Sequence, residues 1–244
     1  MKYYDRAWNP IYGCKGNFAG CEHCYAKTMA KKRGYKNPFD FVGLNLKQYS
    51  RRFGNEHEIV SVCTQSDLFQ DTVIENSENI LNGIIRKCWS NKQNDYLFLT
   101  KFSKNLKDYF SSENRIGMIS NNHFNEFSTE NMKFGVTVCI NDDKHRINDL
   151  KTTSVIKHRF VAFEPLMERI SLTEDDLNGI EWVIVGCDSE NPNADFDIDW
   201  MYEIIGLADK CGIPVFVNNV RINGERIEHD ELPENLRRNE NPYE

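Results

Sequence analysis

Six stretches of the chain are apolar at nearly every position: residues 58–63 (EIVSVC), 95–100 (DYLFLT), 133–139 (KFGVTVC), 158–163 (HRFVAF), 181–187 (EWVIVGC) and 213–218 (IPVFVN). Strands covered on both faces read this way. Helical spacing fills the gaps between them. In residues 72–90 the rows Ile80, Ile84, Cys88 and Leu81, Ile85, Trp89 form one apolar stripe. Residues 198–211 repeat it with Met201, Ile204, Ile205, Ala208 and Cys211, and Gly212 supplies a stop before Pro214. Strand alternating with helix predicts a parallel sheet. With a first strand within residues 4–12 (YDRAWNPIY), the pattern fits an α/β protein, a partial or complete (β/α) barrel with parallel strands. An open doubly wound sheet fits less well, because neither G-x-G-x-x-G nor G-x-x-x-x-G-K-[ST] occurs. Residues 111–132 are polar, poor in pattern, and read as an irregular insertion. Asn223-Gly224 between two short β-type runs signals a hairpin, and PENLRR adds a helical turn. The expected layout is one barrel domain over residues 1–218 and a hairpin with tail over 219–244, packed on the barrel.

Composition narrows the setting. The chain has 244 residues, 40% of them hydrophobic, which is ample for a core. No apolar run is long enough for a signal peptide or a membrane anchor, so a cytoplasmic protein without a membrane role is expected. Eight cysteines in a reducing compartment point to metal ligation, redox work or burial rather than to disulfides. A net charge of -7 argues against a dedicated, sequence-independent DNA binder. Lys27, Lys31, Lys32, Arg33 and Lys36 make either a local basic face or an ordinary solvated helix face.

The candidate chemistry is on one loop. Cys14, Cys21 and Cys24 are spaced C-x6-C-x2-C, and Tyr25 follows at once. A structural zinc site takes four ligands, commonly two C-x-x-C knuckles, whereas here there is one pair, a third thiol and no second knuckle. His23 is poorly placed between Cys21 and Cys24 to close the same tetrahedron. Three thiolates suit a 4Fe-4S cluster whose fourth iron stays open to a non-protein ligand. Zinc, and buried or redox thiols, remain the alternatives.

The motifs WNPIYGC (8–14), GCEHCYAK (20–27), QSDLF (65–69), FLTK (98–101), FGVTV (134–138), FEPL (163–166), EWVIVG (181–186) and GIPVFVN (212–218) run in order. From Trp8 to about Pro233 the chain resembles a family of uncharacterised proteins common in phages and prophages, described by its three-cysteine motif. That family is similar in turn to radical S-adenosylmethionine (SAM) enzymes. The resemblance implies a 4Fe-4S cluster on Cys14, Cys21 and Cys24, SAM chelated to the open iron, and an electron donor that triggers its cleavage to a 5′-deoxyadenosyl radical. A distant similarity to DNA photoproduct lyases implies a nucleotide or nucleic acid as substrate. The chain departs from the radical SAM pattern in having six residues where C-x3-C-x2-C has three, and TQSDLF where a Gly-Gly-Glu stretch is usual. It departs from the phage family at GCDSENP (186–192) and at Asn218-Asn219.

In a parallel barrel the active face is built from strand C-terminal ends. Here these are Gln65, Ser66 and Asp67; Thr100 and Lys101; Thr137 and Cys139; Glu164; Asp188, Ser189 and Glu190; and Asn218. Lys101 is expected to pair with the SAM carboxylate, helped by a Ser66 or Thr100 hydroxyl, or else to form an ion pair with Glu164 or Asp67. Glu164 would receive the SAM amino group or substrate, or satisfy backbone amides. Asp67 would face the cavity or cap a helix starting near Thr72. Tyr25 would pack on cluster or adenine, or in the core. Cys139 and Cys187 are either hydrogen-atom donors or small apolar fillers, and Cys63, Cys88 and Cys211 are core. Two other classes compete: a nucleotide-binding or hydrolytic barrel with zinc completed by His23 or Cys63, and a binding module for a modified base.

Overall fold

The computed structural model describes residues 2–32, 42–76, 78–120, 126–191, 196–222 and 224–244. Seven strands form one sheet in sequence order: β1 (Arg6–Trp8), β2 (Ile59–Val62), β3 (Asp95–Thr100), β4 (Met132–Thr137), β5 (His158–Phe163), β6 (Trp182–Val185) and β7 (Val215–Val217). Every neighbouring pair is parallel, in registers such as Ala7↔Ser61, Leu97↔Lys133, Gly135↔Phe160 and Ile184↔Phe216. The sheet curls into a half-barrel whose two edges, β1 and β7, do not pair with each other.

Strand side chains alternate between the two faces. Val60, Val62, Phe98, Phe134, Val136, Val161 and Val185 join the larger core with helices α2 (Glu78–Ser90), α3 (Ser103–Phe110), α4 (His145–Lys151) and α5 (Ile198–Lys210), while α1 (Tyr25–Lys32) follows the cysteine loop outside that cluster. Ile59, Leu97, Phe160, Ala162, Trp182, Ile184 and Phe216 form the smaller, concave cluster. Gly135 makes this possible, since a Cβ there would lie 2.3 Å from the Phe160 ring. Both ends of the chain fill the concave face. Tyr3 meets Trp182 and Phe216 edge-on at 5.5 Å, and Tyr243 meets Trp182 at 5.7 Å. The exposed edge of β7 is covered by the tail, through Val217 N–H to Arg238 O (2.9 Å) and Glu240 N–H to Val215 O (3.1 Å). With the sheet closed at its base, the open end is the C-terminal one.

The parallel strands and their order match the sequence reading, and the barrel is partial. Over 71–90 the described residues Asp71–Asn76 and α2 are helical, and residue 77 lies outside the described residues. The supposed irregular insertion holds a helix, Glu113–Ser120: Ile119 is fully buried, and Arg86 Nε donates to its carbonyl at 2.9 Å. Packing on α2, rather than its own weak periodicity, makes that segment helical. Val220–Ile222 and Glu225–Ile227 pair antiparallel around Gly224 (φ 80°), as a hairpin requires. Asn223, Arg33 and Lys36 lie outside the described residues. PENLRR contains one 3-10 turn, Glu234–Leu236. Among the described residues no helix is long and apolar enough to cross a membrane.

Candidate active site

Beyond β1 the chain pairs Ile11–Tyr12 with Gly43–Leu44 and turns at Gly13 (φ 81°) into the cysteine loop. The backbone on both sides of Cys14 is held by one side chain. Gln70, fully buried, donates from Nε2 to Gly13 O (3.1 Å), Asp67 O (2.8 Å) and Ser66 Oγ (3.2 Å), while its Oε1 accepts from Lys15 N (3.0 Å). Ser66 Oγ donates to the same Gly13 carbonyl at 2.6 Å.

The six residues between Cys14 and Cys21 have a place to go. Phe18 packs edge-on against Phe102 at 4.8 Å, and the Arg146 guanidinium lies 4.8 Å over its ring. Arg146 is buried and fixed by Asp143 (2.6 Å) and Thr137 O (2.7 Å). Lys101 Nζ donates to Ala19 O at 2.6 Å. Gly20 (φ 75°) then passes so close that a Cβ would meet Pro165 at 2.9 Å and Lys101 Nζ at 3.1 Å. The longer spacing thus carries the loop from β1 across to the ends of β3, β4 and β5. Gly16 sits between two thiols: its N–H donates to Cys14 Sγ (3.4 Å), and a Cβ there would stand 3.5 Å from both Cys14 Sγ and Cys21 Sγ.

Cys14, Cys21 and Cys24 line one cavity of about 540 Å³ at the strand C-terminal ends. Ser66, Asp67, Thr100, Lys101, Glu164 and Tyr25 share its wall. Tyr25 begins α1 and is 48% exposed, so it belongs to the cavity and not to the core. Lys101 makes neither ion pair expected of it; its ammonium holds the loop, and its N–H donates to Asp67 Oδ2 at 2.9 Å. Thr100 Oγ1 is engaged twice, donating to Asp67 Oδ1 (2.7 Å) and accepting from Phe102 N (2.9 Å). Asp67 also accepts from Phe69 N at 3.0 Å and caps its own turn, whereas the next helix starts at Asp71. Burial raises the Asp67 carboxyl above the ordinary range, against the pull of these donors.

Glu164 Oε1 accepts from Asn218 Nδ2 (2.6 Å) and Asn219 Nδ2 (2.9 Å), and burial raises its carboxyl too. The structure separates the two strand-end thiols. Cys187 is on the cavity wall, but Cys139 is fully buried and off it, its thiol beside the Lys101 ammonium. Burial pushes both thiols up to about 11 and that of Cys14 up to about 12. Cys63, read as core, is buried yet reaches the wall, in a left-handed turn (φ 59°) that ends β2. Among the described residues no group of three or more His, Cys, Asp or Glu is placed to hold a metal ion.

Gln70, Phe18 and Arg146 escaped the sequence reading. A Gln in a strand-to-helix turn and an Arg on a short helix carry no pattern of their own, and only the fold brings them to the loop. Phe18 was legible as the one large apolar residue inside an otherwise small and polar loop.

Fold and site together define a parallel α/β half-barrel protein with a three-thiol loop at its open end. The chain belongs to the family described as "Protein of unknown function (DUF5131)", whose profile matches residues 1–230. No curated protein matches it. Solved structures of spore photoproduct lyase are similar in fold: one point mutant has a TM-score of 0.51 at 11% identity, covering 86% of this chain and 75% of that one. A second mutant, with dinucleoside spore photoproduct, gives 0.50 at 11% identity, covering 85% and 74%. A third, with bound AdoMet and dinucleoside spore photoproduct, gives 0.49 at 11%, covering 86% and 75%.

Proposed function

We propose that the protein is an iron-sulfur enzyme of the radical SAM type that acts on a nucleotide or nucleic acid. The observation that carries this reading is a set of three thiols at the open end of a parallel half-barrel, on a loop fixed by other strand ends. The residues fit a 4Fe-4S cluster. Cys14 and Cys21 flank Gly16, which has no side chain to fill the gap between their sulfurs, and its N–H points at Cys14 Sγ. All three cysteines share the lining of one cavity, and three thiolates are the protein ligands of a cluster with one open iron. Bound together, cluster and SAM supply one-electron cleavage of a sulfonium S–C bond and hence a carbon radical.

The chain's own residues do the rest. Cys14, Cys21 and Cys24 would hold the cluster, and Gln70, Ser66 and Lys101 orient the loop that presents them. With Lys101 and Thr100 engaged, the polar groups offered to SAM and substrate include those of Glu164, Asn218 and Asn219, with Gln65, Tyr25, Cys187 and Glu190 also on the wall. The half-barrel walls shield the reacting groups from bulk water. The nucleotide reading is supported by the dinucleoside bound in a protein of the same fold. An electron donor is required and is supplied from outside the chain. The test is anaerobic reconstitution followed by iron and sulfide analysis. About four of each per chain, reduced to background in Cys14→Ala, is expected; one zinc per chain and no sulfide refutes the reading.

A further inference from the structure

The cavity wall also carries groups that the cluster does not use. Glu164 Oε1 takes one N–H from each of two neighbouring amides, Asn218 and Asn219. Backbone bonds fix this trio: Asn218 N–H donates to Val185 O (2.9 Å), and Asn219 O accepts from Cys187 N (2.8 Å). Gly186 lets Glu164 in, since a Cβ there would stand 3.2 Å from its Cγ and Cδ. What remains unengaged is Glu164 Oε2, both amide oxygens and the second N–H of each amide. Among the described residues Glu164 Oε2 and both amide oxygens have no protein hydrogen-bond partner and are not sealed from solvent, and all three residues line the cavity. Acceptors and donors side by side match the edge of a flat heterocycle with ring N–H, carbonyl or amino groups.

Two features of the same wall favour a heterocycle over a phosphate or sugar acid. Glu164, Asp188 and Glu190 place three carboxyl groups on it, in a lining that also holds Lys2, Lys101 and Arg226. The nearby Arg221 is spent on the carbonyls of Asp188 (3.2 Å), Ser189 (3.0 Å) and Gly224 (2.9 Å). Tyr4 and Tyr25 are also on the wall, Tyr4 set edge-on to Tyr3 at 5.4 Å and Tyr25 half-exposed, which provides aromatic faces for stacking.

We propose that Glu164, Asn218 and Asn219 read the hydrogen-bonding edge of a nucleobase, with Tyr4 and Tyr25 as its stacking partners. The ligand is a base of the substrate; the adenine of SAM has the same chemistry and is the other source. This deepens the enzymatic reading and rests on it for the role of the cavity, but its test needs no cluster. Calorimetric titration of the metal-free protein with each of the four deoxynucleosides, and separately with SAM, reads the edge directly. One deoxynucleoside is expected to bind more tightly than the rest. Glu164→Gln should weaken it by about tenfold or more, and Asn219→Ser should weaken it less, both without change in SAM affinity. Glu164→Gln is near-isosteric and removes a buried charge, so the variant folds. Absence of any nucleoside preference, or a preference unmoved in both variants, overturns the proposal. A loss confined to SAM assigns the edge to adenine and overturns the substrate assignment. Failure of the iron-sulfur reading would leave the nucleoside titration intact, so the two failures are distinguishable.

Discussion

Gln70→Leu is the sharpest test of how the cysteine loop is held. The substitution roughly keeps shape and removes four hydrogen bonds from a side chain with no exposure. Their loss is unequal. Gly13 O keeps the Ser66 hydroxyl, and Lys15 is exposed, so water can replace the lost acceptor at its N–H. Asp67 O loses the bond at 2.8 Å inside a buried turn. One orphaned buried carbonyl at about 1–3 kcal/mol, plus partial losses at Gly13 O, Lys15 N and Ser66 Oγ, gives about 2–4 kcal/mol in all. That is less than the total stability of a typical domain, so the variant remains folded. Urea denaturation of the metal-free protein should show the loss as a lower midpoint with unchanged slope. Reconstitution should then load less iron per chain, because the loop must be ordered at the moment of binding. Gln70→Glu, which keeps the acceptor for Lys15 N–H but cannot donate to Gly13 O, should fall between the two. A change below about 0.5 kcal/mol with full iron loading would refute the claim that Gln70 positions Cys14.

Lys101→Met separates two roles for one ammonium. If it holds the loop through Ala19 O, iron loading falls while SAM affinity per loaded cluster is unchanged; loss of SAM affinity at full loading would instead make Lys101 a partner of the SAM carboxylate. Gly135→Ala places a Cβ 2.3 Å from the Phe160 ring and should destabilise the concave core by about 1–3 kcal/mol, read as a lower thermal midpoint. Burial raises the folded-state value of Glu164 above that in the unfolded chain, so its contribution to stability is full below the unfolded value of about 4.3 and is lost as pH rises through the folded one. Glu164→Gln should therefore melt higher than the native chain at about pH 8, with the gap closing toward about pH 4; a gap independent of pH would mean that burial does not raise the Glu164 carboxyl.

Six of the strands were legible because a sheet covered on both faces writes itself as unbroken apolar runs, and the first lies within residues 4–12, where it was expected without such a run. The half-barrel could not be told from a closed one, since closure depends on whether β1 reaches β7, and the covering of β7 by Arg238 and Glu240 has no local signature. Helix Glu113–Ser120 was missed because Ile119 is buried by α2 and not by a stripe of its own. At the site, residue type and position at strand ends brought Asp67, Thr100, Lys101 and Glu164 to the same cavity. They did not reveal that Thr100 and Lys101 are already engaged by Asp67 and Ala19. Cys139 and Cys187 each lie two residues past a strand, yet only Cys187 reaches the wall; the Cys139 N–H donates to Asp143 Oδ2 in the buried turn that follows β4.

The central claim, that three thiols present an open iron to SAM at the mouth of a half-barrel, is tested most directly by electron paramagnetic resonance. Anaerobically reconstituted, dithionite-reduced protein is recorded with and without SAM. The account predicts a reduced 4Fe-4S signal that shifts when SAM is added. A colourless, silent protein that retains zinc, or a cluster signal indifferent to SAM, would contradict it.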